Sequence, residues 1–99
     1  MMPDGENDAF DRPDVYVIAR ILERLWLKGP GYGRTNLQNA ARLNTRAFTK
    51  YIAWLEAKGY VAKTTDADGH DRFAITANGI EVLRSLAKWI DGTIGQGRL

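Results

Sequence analysis

The sequence contains no cysteine, one serine (Ser85) and one histidine (His70) among its 99 residues. Without cysteine there are no disulfides and no thiolate metal sites, and redox chemistry does not set the compartment. With a single serine inside a helical pattern, no nucleophile–base–acid set is visible, and a zinc site would need carboxylates alone beside His70. Catalysis, a metal site and a cofactor are therefore not expected. No apolar run approaches the ~20 residues of a membrane span. The acidic, polar opening from Met1 to Asp11 is unlike a signal peptide, so a cytoplasmic protein without membrane association is expected. The glycine cluster from Gly29 to Gly33 lacks the Gly-Lys-Ser/Thr ending of a phosphate loop and follows a helix rather than a strand. It reads as a connector whose glycines permit a tight bend. No small-molecule ligand is indicated. Asp66, Asp68 and Asp71 lack the closing glutamate of a calcium loop and read as turn formers.

What is present is a segregated charge. The net charge is only +2. Residues 1–33 carry four basic and six acidic side chains, and residues 64–99 carry four and five. Between them, residues 34–63 hold six basic side chains (Arg34, Arg42, Arg46, Lys50, Lys58, Lys63) against Glu56 alone. Concentration of positive charge on one segment favours a polyanionic partner. The length suits one domain, and the 44% apolar and 26% charged fractions are those of an ordinary globular chain.

Along the chain, the first residues hold acids, Pro and Gly and read as a disordered tail. A first helix is expected from Pro13, placed at the first helical position. It carries Val15, Ile18, Ile21, Leu22, Leu25 and Trp26 at helical spacing and stops at Lys28-Gly29-Pro30. A loop follows, with room for a very short strand around Tyr32. Thr35 with Gln38 suggests a capping box for a short helix over Asn36 to Arg42. Asn44 caps a third helix that runs to about Lys58, with Gly59 as its left-handed terminator. Two β-rich runs, Tyr60 to Thr65 and Arg72 to Ile75, flank an Asp-Gly turn and make a hairpin. Thr76 caps a last helix.

The third helix is the most informative stretch. At 100° per residue, Phe48, Tyr51, Ile52 and Leu55 share one face, and Arg46, Thr49, Lys50 and Ala53 share the opposite one. The outward face offers two cations, a hydroxyl and a small residue, with no carboxylate. That is the chemistry of a helix lying in a DNA major groove. Three helices, a two-stranded hairpin and a fourth helix are the element order of a winged helix-turn-helix, a mostly α fold with a small β wing.

Two motifs carry a family resemblance. Thr49-Lys50-Tyr51-Ile52-Ala53-Trp54-Leu55-Glu56-Ala57-Lys58-Gly59-Tyr60-Val61 resembles a signature of small prokaryotic winged-helix DNA-binding proteins, and Phe73-Ala74-Ile75-Thr76-Ala77-Asn78-Gly79 resembles the run that follows their wing. The chain is most similar to small archaeal winged-helix proteins that dimerise through a C-terminal helix. It is more distantly similar to MarR-type and PadR-type regulators. The resemblance covers roughly residues 13–91. It implies a transcriptional regulator that binds double-stranded DNA as a homodimer. Groove contacts would fall on Asn44, Thr45, Arg46, Thr49 and Lys50, and wing contacts near His70 and Arg72. Arg34, Arg42, Lys58 and Lys63 would neutralise phosphates. Two features depart from the pattern: the wing carries three aspartates, and the last helix is short for a coiled coil. The alternative is a winged-helix module that binds another protein.

The last helix shows heptad steps. Ile80, Leu83, Ala87, Ile90 and Ile94 recur by three and four residues, and Leu86 and Trp89 widen the stripe. An apolar surface wider than one packing face argues for a partner helix. The expected organisation is therefore an acidic disordered tail (1–11), a winged helix-turn-helix domain (12–91) with its dimerisation helix at 77–91, and a flexible tail (92–99).

Overall fold

In the computed structural model the described residues are 13–90. The tails expected at 1–11 and 92–99, and Ile94, lie outside them. Helix α1 spans Val15–Lys28 and buries Ile18, Ile21, Leu22 and Leu25, the apolar stripe of its sequence. Its cap is Asp14, whose side chain accepts from the Tyr16 N–H at 2.8 Å. Pro13 thus precedes the cap instead of opening the helix, because the Asp14 carboxylate satisfies an orphan N–H that proline's position cannot. Gly29 ends α1 with φ +87°.

Strand β1 (Tyr32–Gly33) leads directly into α2 (Arg34–Ala40). The helix starts and stops two residues earlier than its sequence suggests. Gly33 is extended and pairs with Arg72 across the sheet, so the chain enters the helix from a strand and Thr35 is already helical. Gln38 closes no capping box; its Nε2 donates to Thr45 Oγ1 at 3.0 Å and ties α2 to the next helix. Arg42, at φ +60°, terminates α2. The Leu43 N–H donates to the Gln38 carbonyl and the Arg42 N–H to the Asn39 carbonyl. This is a Schellman motif with arginine where glycine is usual.

Helix α3 (Thr45–Ala57) is capped by Asn44, whose Oδ1 accepts from the Ala47 N–H at 2.8 Å. It ends in a second Schellman motif, with Gly59 at φ +81° and the Tyr60 N–H bonded to the Leu55 carbonyl. Strands β2 (Val61–Thr65) and β3 (Asp71–Ile75) form the expected hairpin. β1 joins it, giving an antiparallel sheet of order β1-β3-β2 with Tyr32 opposite Phe73. Helix α4 (Ala77–Ile90) returns beside α1.

The core is wholly apolar. Ile21, Leu22, Leu25, Leu37, Ala41, Phe48, Leu55 and Phe73 are fully buried, and no described polar or charged residue is. Eight such side chains, at roughly 1.5–3 kcal/mol each for the large ones, dominate the stability. Among the described residues no helix is long and apolar enough to cross a membrane.

Glycine at 79 has a steric reason. A Cβ there would overlap the Tyr60 carbonyl oxygen and lie 2.7 Å from Ile75 Cγ1. The same corner is pinned by Thr76, whose hydroxyl donates to the Gly59 carbonyl at 2.7 Å and accepts from the Gly79 N–H at 3.0 Å. Gly79→Ala should destabilise the domain by about 1–3 kcal/mol, read as a lowered denaturant midpoint, because the obstacle is backbone. Arg42→Gly should instead raise stability by about 0.5–1 kcal/mol, since it relieves a left-handed non-glycine residue but loosens the unfolded chain. An unchanged or lower midpoint for that variant would mean that the Arg42 side chain repays its backbone conformation.

Candidate nucleic-acid interface

The outward face of α3 begins with two side chains that also serve the fold. Asn44 holds its own helix cap, and Thr45 receives the Gln38 amide, so both are exposed yet fixed in position. Arg46, Thr49 and Ala53 are exposed and Lys50 is half-buried. Among the described residues no carboxylate pairs with Arg46 or Lys50. From behind, α3 is held by Phe48, Ile52 and Leu55 in the core. Tyr51 adds a tie that sequence reasoning missed: its hydroxyl accepts the Asp14 N–H at 3.0 Å, joining α3 to the start of α1. Gln38 was missed likewise. Both partners are polar atoms brought together by tertiary packing, and spacing along the chain carries no sign of that.

The cations expected to meet phosphates fall into two groups. Arg42, Lys58 and Lys63 are exposed, with the Lys58 ammonium 5.5 Å from the centre of the Trp54 ring. Arg34 and Arg72 are engaged. The Arg34 guanidinium lies over the Phe48 and Phe73 rings, 5.6 and 5.4 Å from their centres, and reaches Asp71 Oδ2 at 3.3 Å. Arg72 Nε donates to Asp66 Oδ2 at 3.0 Å. His70 is 70% exposed at the wing tip, its Nδ1 3.8 Å from Asp66 Oδ2.

Two of the three wing aspartates, Asp66 and Asp71, therefore have side-chain duties within the fold. Asp66 Oδ1 accepts the N–H groups of Asp68 and His70, each at 2.9 Å, and orders the turn around Gly69, which sits at φ +85°. The His70 N–H holds the Asp66 carboxyl below its ordinary range, and Arg72 and the Asp68 N–H add to the effect, against a desolvation that opposes it. Asp71 holds Arg34. A polar cleft of about 400 Å³ opens between the start of α2 and the wing, with Arg34, Asn36, His70 and Arg72 on its walls.

Helices α1 and α4 form an open apolar groove of about 270 Å³. Ile80, Leu83 and Ala87 line it together with Trp26, which is 56% exposed. Ile90 borders the adjoining depression beside Leu83 and Ala87. Of the two remaining residues of the predicted stripe, Leu86 is half-buried and Trp89 is 52% exposed. Leu86 packs against the core, and the Trp89 ring meets that of Tyr16 at 6.4 Å.

Comparison with known proteins accords with this architecture. A family model described as winged helix-turn-helix matches residues 12–93. No curated protein sequence matches the chain. Sso10a-2, a DNA-binding protein from Sulfolobus solfataricus, is similar over 88% of this chain and 87% of its own, with a TM-score of 0.74 and 21% identity. The transcriptional regulator BldR from the same organism is similar over 82% of this chain with a TM-score of 0.72 and 24% identity. The chain spans just over half of BldR, 58% of its length. A mutant of MepR from S. aureus, bound to an oligodeoxyribonucleotide, is similar over 94% of this chain and 68% of its own, with a TM-score of 0.71 and 16% identity. At such identities the likeness is one of fold. Taken with the match over residues 12–93, the helix–turn–helix closed by Arg42 and the three-stranded wing place the chain in the winged helix-turn-helix family.

Proposed function

We propose that this protein binds double-stranded DNA as a homodimeric transcriptional regulator, acting in the cytoplasm without catalysis, through one domain at residues 12–91. The observation that carries the proposal is the outward face of α3: among the described residues no carboxylate pairs with Arg46 or Lys50, while the back of the helix is fixed by the core and by Tyr51. A rigid helix with uncompensated donors suits base-edge and phosphate recognition in the major groove. Arg42, Lys58 and Lys63 flank it as phosphate contacts, whereas Arg34 and Arg72 carry less weight because Asp71 and Asp66 already neutralise them. The printed descriptions of Sso10a-2 as DNA-binding and of the MepR mutant as bound to an oligodeoxyribonucleotide support the same reading.

The double variant Arg46→Ala, Lys50→Ala tests it. Each good base contact is worth about 1–3 kcal/mol, so duplex affinity should fall by roughly one to four orders of magnitude with the circular dichroism spectrum unchanged. Wild-type binding should also weaken steeply with salt. Affinity unmoved by both changes would instead favour a protein-binding module.

The groove between α1 and α4 is the proposed dimer seam, with Ile80, Leu83, Leu86, Ala87, Trp89 and Ile90 facing a second copy. Its exposed Trp26 is a surface that a monomer leaves wet. Two recognition helices would then prefer half-sites a multiple of roughly 34 Å apart. Ala87 is exposed, so Ala87→Lys leaves the core alone. Sedimentation of the wild type as a dimer and of Ala87→Lys as a monomer is expected at tens of micromolar; a monomeric wild type would discard the seam.

A further inference from the structure

We infer that Arg20, Arg24 and Lys28, a row of cations on α1, form a second contact for the phosphate backbone of nucleic acid, separate from α3. The three follow one another at four-residue intervals. At 100° per residue each is turned only about 40° from the last, and the row rises about 12 Å along the helix. No acidic residue stands in it. Arg24 and Lys28 are exposed and Arg20 is half-buried. Among the described residues no carboxylate pairs with any of the three. Arg20 Nε is shielded from solvent, and no described residue accepts from it. The Lys28 ammonium lies 5.8 Å from the centre of the Tyr32 ring, which positions it without cancelling its charge.

The row occupies a flank of α1 that neither the core nor α4 uses. Ile18, Ile21, Leu22 and Leu25 turn one side of the helix to the core, and Ala19, Glu23 and Trp26 turn the next toward α4. Around the helix the row lies about 100–175° from that second group, so a copy seated in the groove between α1 and α4 would leave it accessible. Glu23 is the one acid within α1, and it stands on the groove side.

The other cations without a described carboxylate partner are arranged differently. Lys88 shares its line on α4 with Glu81, which pairs with Arg84. Arg42 closes α2 and Lys63 stands on β2, and neither belongs to a helical row. On α3 and its cap the line of Arg46, Lys50 and Lys58 is interrupted by Trp54. Among the described helices only α1 sets three cations in unbroken succession. A duplex presents about one charge per 1.7 Å of its axis, so a row of about 12 Å meets several phosphates at once, and each cation that neutralises one releases a counterion. Such contacts add affinity without reading sequence. The phosphates can belong to a flanking stretch of the duplex held by α3 or to a second duplex.

The inference rests on the DNA reading for the class of partner but not for the residues. Its test is the affinity of the full chain for a mixed-sequence duplex across a range of salt, followed by fluorescence anisotropy. In Arg20→Gln, Arg24→Gln, Lys28→Gln the slope of log affinity against log salt should become shallower by about 2.7. Because Arg20 is half-buried, the exposed pair Arg24→Gln, Lys28→Gln is the deciding variant. Its slope should be shallower by about 1.8, with affinity roughly tenfold to twentyfold lower at about 0.2 M salt. Lys88→Gln, an exposed cation outside the row, should leave the slope unchanged. An equal decrement per charge from Lys88→Gln would make the effect one of net charge and overturn the site. An unchanged slope in the deciding variant overturns it too, even where Arg46→Ala, Lys50→Ala abolishes binding and the proposed function stands. A shallower slope with affinity indifferent to the α3 variant upholds the row and refutes α3 as the reader. Absence of duplex binding by the wild type refutes both. Capture of a fluorescent duplex by an immobilised one separates the two sources of phosphate. Capture lost in the deciding variant assigns the row to a second duplex, and capture that is retained, or absent throughout, assigns it to the flanking stretch of the first.

Discussion

The contact on which the rest of this structure depends is the edge-to-face meeting of Phe48 and Phe73 beneath the Arg34 guanidinium. The rings are 6.4 Å apart at 90°, and both are fully buried. Phe48 belongs to α3, Phe73 to β3 and Arg34 to the first turn of α2. One cluster therefore sets the recognition helix against the wing and the wing against the helix–turn–helix. An aromatic pair of this geometry adds about 0.5–1.5 kcal/mol beyond its buried area. The stacked guanidinium adds roughly 0.5–1 kcal/mol while its fork holds Asp71. Loosening any member would change the angle at which α3 is presented.

Charge is divided between building and display. Around the wing, acids and bases cancel locally: Asp66 orders the turn and receives Arg72, and Asp71 receives Arg34. Because the folded Asp66 carboxyl is held below its ordinary range, its contribution is fully present above the usual carboxylate range. It is lost only as the pH falls through the lowered value. On α3 the opposite holds. Among the described residues Arg46 and Lys50 have no such partner, so the positive potential of that face is not cancelled locally.

Helix α4 is placed by close approach more than by side-chain volume. With hydrogen at position 79, the helix lies on the Tyr60 carbonyl, and the Thr76 hydroxyl bridges the Gly59 carbonyl to the Gly79 N–H. The Schellman turn after α3 exposes that carbonyl in the required direction. Packed at this corner, α4 runs back beside α1 and turns Leu83 and Ala87 toward a groove that its own domain leaves open.

The elements were legible in the sequence because their causes are local. The 3.6-residue recurrence of Ile18, Ile21, Leu22 and Leu25, the Asn44 cap, the Gly59 terminator and the Asp-Gly turn each act within a few residues. The outward placement of Arg46 and Thr49 followed from the same periodicity. The limits of α2 did not, because they depend on β1 pairing with a strand about 40 residues later and on an arginine in a glycine's conformation. Tertiary structure alone decided which cations are compensated and which remain open. Arg34 meets Asp71 and Asp14 meets Tyr51, each across 37 residues. Residue type and spacing reveal that a side chain is charged and which way its helix faces. Whether another charge waits there is settled only when distant segments fold together.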